Sequence, residues 1–197
     1  MIQIKFYETN KPYGCFSNFS KHPIELDNKR WATVEHYFQA MKFANTSFEE
    51  EIRLLRTPME AAIAGRDRNK PLRKDWEEMK EAIMRRAIAA KCEQHESVRD
   101  ILVSTGNCLL IEHTKNDSFW GDGGDGSGQN KLGQMLMEIR SELPGYSGVF
   151  YPPLPYMDDD AGKEAYLIEQ QSWFMSISKE AQEEYSRYFI TSKLLHP

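Results

Sequence analysis

Metal-binding spacing is absent from this chain. Its five histidines include no H-E-x-x-H pair, because Glu35-His36 has no second histidine one helical turn on. Its three cysteines, Cys15, Cys92 and Cys108, are odd in number, widely spaced and free of any C-x-x-C pair. That excludes a zinc ribbon and a disulfide framework and leaves them as buried thiols. No apolar run approaches the roughly 20 residues a membrane-spanning helix needs, and MIQIKFYE offers neither a basic leader nor a small-residue cleavage site. The expectation is a cytoplasmic protein with no membrane partner and no histidine-held metal. Internal repeats and low-complexity tracts are also missing.

Positive charge is in short supply. The formal charge is −5, which argues against a chain-wide nucleic-acid footprint, and it is unevenly spread. From Pro144 onward there are four basic and eight acidic residues, a net of −4, which leaves −1 for residues 1–143. Within that part GRDRNKPLRK (65–74) sets Arg66, Arg68, Lys70, Arg73 and Lys74 against Asp67 alone, and this stretch suits an anion.

What is present is the composition of an ordinary globular protein: 197 residues, 40% hydrophobic and 28% charged, enough for one domain with a sizeable core. QIKFY and the two arms of PIELDNKRWA read as short strands, with Asp27-Asn28 as the turn of a hairpin. Helices follow, each with a start signal. Thr33 caps a helix whose Val34, Tyr37, Phe38 and Met41 form one apolar stripe. Ser47 with Glu50 makes a capping box, and Thr57-Pro58-Met59-Glu60 makes a second, with Gly65 as a stop. Asp75 with Glu78 opens a longer helix, ESVRDILVSTG is another, and CLLIEHT (108–114) is a buried strand. Asn130 caps a helix through Leu132, Met135, Leu136 and Ile139, ended by Pro144-Gly145. Beyond a proline- and tyrosine-rich connector, GKEAYLIEQQSWFMSIS and SKEAQEEYSRYF read as two amphipathic helices that pack on the core or on a partner subunit.

The glycine-rich loop SFWGDGGDGSGQNKLG (118–133) matches several phosphate and cation patterns in letters but in none of their contexts. Gly121-x-Gly123-x-x-Gly126 fits the dinucleotide fingerprint, yet six residues separate it from the preceding strand and no parallel strand is evident downstream. Asp122 and Asp125 would also face a pyrophosphate with like charge. A P-loop would need Gly-Lys-Ser/Thr where Gly128-Gln129-Asn130 stands, and an EF-hand begun at Asp122 would place glycines at ligand positions. The loop reads either as a surface turn with positive φ at several glycines, or as the wall of a site in which Trp120 stacks a flat ring while Asp122 approaches its sugar.

On the helix after Thr33, Glu35, Gln39 and Lys42 share the face beside the apolar stripe. Periodicity alone makes this a solvated polar face with a Glu35–Lys42 ion pair. The chemical alternative is that Glu35, ionised in the first turn where the helix dipole favours a negative charge, stabilises a cationic sugar carbon or activates water.

Four segments in order, GCFSNFS (14–20), WATVEHYFQAMKF (31–43), GRDRNKPLRKDW (65–76) and IEHTKNDSFWGDGGDGSGQNKLGQMLMEIR (111–140), resemble the NADAR, or YbiA-like, family. The resemblance covers residues 5–143. It implies a compact helix-rich α+β single domain with a few short strands at 1–143, which the C-terminal helical extension at 144–197 follows without family counterpart. Cys92 after Lys91 departs from the usual aromatic, a change in packing.

The activity that the resemblance implies is N-glycosidase chemistry without metal or cofactor. The expected substrates are phosphorylated ribosylamino-pyrimidine intermediates of riboflavin biosynthesis. The alternatives are removal of ADP-ribose from guanine bases, the one case that brings in nucleic acid, and a non-catalytic module binding NAD or ADP-ribose. Carried over by position, the resemblance marks Glu35, Lys42, Asp117, Trp120, Asn18, Arg66, Lys70 and Asn130; the expected site has Glu35, Lys42 and Asp117 as catalytic, and Asn18, Phe19, Arg66, Arg68, Lys70, Trp120, Gly121, Asp122 and Asn130 as substrate-binding. Lys42 also admits a Schiff base with an opened ribose if its pKa is lowered.

Overall fold

The computed structural model describes residues 3–11 and 13–150, and beyond them only Met175, Lys179, Gln182 and Glu183. Apart from these four residues, the helices expected after the proline-rich connector lie outside the described residues. Within them the chain is α+β, with six α-helices and four short strands. It divides into two compact units, Cys15–His95 and the residues up to Gly14 together with those from Glu96 on.

In the first of these units the hairpin forms as its turn chemistry dictates. Strands β1, Gln3–Phe6, and then β2, Ile24–Leu26, and β3, Lys29–Trp31, are the first three of the chain, and β2 and β3 pair antiparallel. Asp27 and Asn28 both sit at positive φ, 56° and 59°, the geometry of a two-residue turn that matches strand twist. Helix α1, Val34–Ala40, starts at Thr33, whose hydroxyl accepts the His36 N–H. It is followed by α2, Ser47–Arg53, α3, Pro58–Ala64, and α4, Trp76–Gln94.

All seven residues of α1 are buried, because α2, α3 and α4 all pack on it. A solvated face is therefore excluded for Glu35 and Gln39, which are 6% and 5% exposed. Lys42 does not continue the α-helix: it stands in a 3-10 turn, Met41–Phe43. The capping box at α3 forms as expected, with Pro58 leading. At α2 the cap is Thr46 instead of Ser47, and Glu50 is drawn into a pair with Arg53 at 2.6 Å. At α4 Asp75 makes no side-chain cap, because Arg73 holds its carboxylate at 2.7 Å.

Lys91 of α4 is fully buried. Its ammonium donates to the carbonyls of Cys15, Ser17 and Phe16 at 2.8, 3.1 and 3.3 Å, so one side chain gathers the acceptors of the loop that carries Asn18. Cys15, Cys92 and Cys108 are free thiols and buried.

In the other unit β1 pairs in parallel with β4, Leu109–Glu112, in the register Ile4 to Leu110 and Phe6 to Glu112. Helix α5, Glu96–Ser104, precedes β4, and α6, Lys131–Glu142, packs against it. The partner of CLLIEHT is thus the N-terminal strand, about a hundred residues upstream and not downstream of the glycine loop.

The Lys91 arrangement carries a stability prediction. Lys91→Met keeps the volume of the stem and removes the donor of three buried carbonyls, so unfolding in urea should show a loss of about 2–4 kcal/mol with unchanged denaturant slope.

Candidate active site

The candidate site in the Cys15–His95 unit is built on the turn at the end of α1. Residues four apart on a helix face each other, and Gln39 Nε2 donates to Glu35 Oε1 at 2.8 Å. The Glu35 backbone N–H donates to the carbonyl of Asn18 at 3.1 Å, which ties the buried loop to the first turn of α1. Asn18 is 7% exposed, and its amide nitrogen contacts Met84 Sδ at 3.4 Å.

Lys42 Nζ donates to the carbonyl of Gly65 at 3.0 Å and lies over the rings of Trp76 and Phe38, 5.5 and 5.8 Å from their centroids. Burial pushes its pKa below the ordinary lysine value; the charge on Glu35 opposes that shift and Arg66 assists it. The direct Glu35–Lys42 ion pair read from the helix face is not what forms: the hydrogen bond of Lys42 goes to a main-chain carbonyl.

Gly65 sits in an ordinary helical conformation, φ −72°, so backbone freedom is not the reason for glycine there. The reason is space. A Cβ at this position would collide with Gln39 Oε1. Two buried amide oxygens in this cluster, Asn18 Oδ1 and Gln39 Oε1, have no hydrogen-bond partner among the described residues.

The basic stretch separates into two groups. Arg66 and Arg68 are exposed and have no carboxylate partner among the described residues. Lys70 is committed: it pairs with Glu51 at 2.7 Å and lies 4.9 Å over the Phe48 ring. Phe19 is half-buried, its N–H donating to Ser17 Oγ at 3.3 Å.

Asp117, Trp120, Gly121, Asp122 and Asn130 belong to the other unit, and their polar atoms chiefly hold its loop together. Asp117 Oδ1 accepts the N–H groups of Trp120 and Phe119 at 2.7 and 2.8 Å. Trp120 is half-buried, edge-on to Phe119 with centroids 4.9 Å apart, and Gly121 is buried, its carbonyl accepting from the Asn130 N–H at 2.9 Å.

Asp122 is 6% exposed and accepts from His113 Nδ1 at 2.7 Å, Gly124 N–H at 2.9 Å and Thr114 N–H at 3.1 Å. Burial works to raise its pKa, but the His113 contact and the two amides outweigh it, and the net shift is downward. Asn130 does not cap α6 with its side chain. At φ 51° it turns the amide onto β4, accepting the Glu112 N–H at 3.0 Å and donating to the Leu110 carbonyl at 2.8 Å. Gly123, Gly124 and Gly126 do adopt positive φ, and the loop lines a groove with Asp122, Asn130 and Ile111.

Several contributors escaped the sequence reading. Gln39 was visible as the i+4 partner of Glu35, whereas Gly65 read only as a helix stop. Trp76, Met84, Lys91 and His113 carry no local signal, because their roles depend on partners far along the chain. Among the described residues no group of three or more His, Cys, Asp or Glu side chains is placed to hold a metal ion, and no helix is long and apolar enough to cross a membrane.

A buried carboxylate held by an amide one turn on, with a desolvated lysine whose charge it acts on, stands on a helix-rich α+β scaffold. The chain belongs to the NADAR domain family, whose model matches residues 5–144. It is 55% identical over 140 residues to N-glycosidase YbiA of Escherichia coli strain K12, covering 71% of this chain and 88% of that protein. The NMR structure of the E. coli protein YbiA superposes with a TM-score of 0.67 at 54% identity, covering 72% of this chain and 84% of the other. The chloroplastic riboflavin biosynthesis protein PYRR of Zea mays is 41% identical over 157 residues, covering 72% of this chain and 25% of that protein.

The Asp122 arrangement is testable by stability. Asp122→Ala leaves two loop amides without their acceptor and should cost about 2–3 kcal/mol at neutral pH. Because the folded pKa lies below the ordinary value of 3.8, the part of this stabilisation that depends on ionisation is present above that value and is lost as pH falls through the folded one. The stability gap between wild type and variant should therefore narrow in strong acid.

Proposed function

We propose that the chain is an N-glycosidase that hydrolyses the bond between ribose C1 and nitrogen in phosphorylated ribosylamino-pyrimidine intermediates of riboflavin biosynthesis. The names of its relatives support the reaction class and the pathway. The observation that carries the reading is the buried Glu35 carboxylate with Gln39 on one of its oxygens and a desolvated Lys42 close by.

Breaking this bond builds positive charge on C1 as the base departs with the bonding electrons. A carboxylate facing C1 stabilises that charge and takes a proton from the water that forms the new C–O bond, and that proton is passed on to the departing nitrogen, so that water's OH ends on C1 and its H on the base. In a site poor in water a single carboxylate is worth far more than on the surface. Glu35 has that burial. Arg66 and Arg68 offer planar forks suited to the substrate phosphate. Glu35→Gln keeps the shape and removes the charge, and it should lower kcat by about 100-fold or more while the protein stays folded. Release of free base from the phosphoribosylamino-pyrimidine, followed by chromatography, is the measurement. Wild-type turnover in Glu35→Gln would end the assignment.

The lowered pKa of Lys42 favours a second route at the same site. A larger fraction of its amine is neutral at a given pH than in an ordinary lysine, and a neutral amine can attack C1 of the ring-opened sugar, expelling the base as its free amine, to form a Schiff base that water then hydrolyses to the free sugar and lysine. Borohydride added during turnover decides between the routes. A reduced sugar adduct on Lys42 marks the covalent one, and normal turnover with no adduct assigns the attack to water on Glu35.

A further inference from the structure

We infer that Gln39 is a specificity-determining residue: its Nε2 fixes the Glu35 carboxylate, and its Oε1 accepts a hydrogen bond from the 2-hydroxyl of the ribosyl group. The inference rests on the N-glycosidase reading of the Glu35 site.

The orientation of the amide follows from chemistry. Nε2 lies 2.8 Å from Glu35 Oε1, an acceptor, and the reversed amide would set two oxygens against each other. Oε1 is therefore the atom directed away from Glu35. Gln39 is 95% buried by its 5% exposure, and this oxygen has no hydrogen-bond partner among the described residues. A buried carbonyl oxygen without a donor is unfavourable and uncommon in native proteins, so a group that brings a donor is the natural complement.

Gly65 shows that the position of this oxygen is guarded. Its backbone is one any residue adopts, yet a Cβ would collide with Gln39 Oε1. The glycine leaves room for the amide where a side chain would displace it. Across from it Lys42 Nζ holds the Gly65 carbonyl, and the charged groups that act on Lys42 are Glu35, Arg66 and Glu77.

The identity of the donor follows from the spacing within one side chain. The two polar atoms of an amide are separated by a single carbon, so an oxygen beside a carboxylate that faces C1 lies next to the atom bonded to C1. In a ribosyl group that neighbour is C2, and its substituent is an O–H donor. Hydrogen bonds to the 2-hydroxyl strengthen in an oxocarbenium-like transition state, which makes this contact worth more to the rate than to ground-state binding.

The test is a cycle of two substrates and three proteins. Wild type, Gln39→Met and Gly65→Ala are assayed on the phosphoribosylamino-pyrimidine and on its 2-deoxyribosyl counterpart; taking ratios cancels the different intrinsic lability of the two sugars. Gln39→Met should slow both substrates by loosening Glu35, and the preference for ribosyl over 2-deoxyribosyl in kcat/KM should fall by about 10-fold. Gly65→Ala, which displaces Oε1 without changing its chemistry, should lower the same preference, and it carries the test if Gln39→Met does not fold. A preference unchanged in the folded variants would overturn the inference while Glu35-dependent hydrolysis stands. Full turnover by Glu35→Gln would instead remove the function beneath it.

Discussion

A carboxylate almost out of contact with water is the constraint around which the Cys15–His95 unit is organised. An ionised glutamate 6% exposed is costly unless its charge is met by donors and nearby positive groups. The stretch from α1 through the 3-10 turn that follows it supplies both. Glu35 lies in the first turn of α1, where the helix dipole favours negative charge, and Gln39 one turn on donates to it. Lys42 contributes positive charge close by without forming the ion pair that would neutralise both. Burial of α1 on every side by three helices makes this environment possible, and the desolvation that lowers the Lys42 pKa comes from the same packing.

In the other unit polar residues serve a different end. Asp122 spends its carboxylate on His113 and two amides, and Asn130 spends its amide on the strand β4. The aspartates of the glycine-rich segment accept neighbouring N–H groups, which accounts for a sequence so rich in ligand-like letters with spacing that fits no phosphate or calcium motif. The acidic residues are short enough to fold back on neighbouring N–H groups, and the glycines at positive φ let them do so.

Local structure was legible wherever it depends on neighbours in sequence. The Asp27-Asn28 turn, the Thr33 cap and the Thr57-Pro58 capping box all formed as read, since each needs only residues within one turn of chain. Caps failed where a competing partner lay just as close. Thr46 displaced Ser47, and Arg73 drew Asp75 away from the helix it precedes. The polar face of α1 was legible as a pattern but not as a buried one, because periodicity reports which residues share a side and not what covers it.

The sequence by itself determined the family, the α+β class and the segment that carries Glu35, Gln39 and Lys42 on adjacent turns, because motif spacing and helical period are properties of the chain. Tertiary structure alone decided that the carboxylate is buried, that Lys91 gathers three carbonyls from a loop more than seventy residues away, that β1 pairs with β4, and that Gly65 makes room for one amide oxygen. Each of these depends on which surfaces meet after the chain has folded, and contacts between residues distant in sequence leave no period to read.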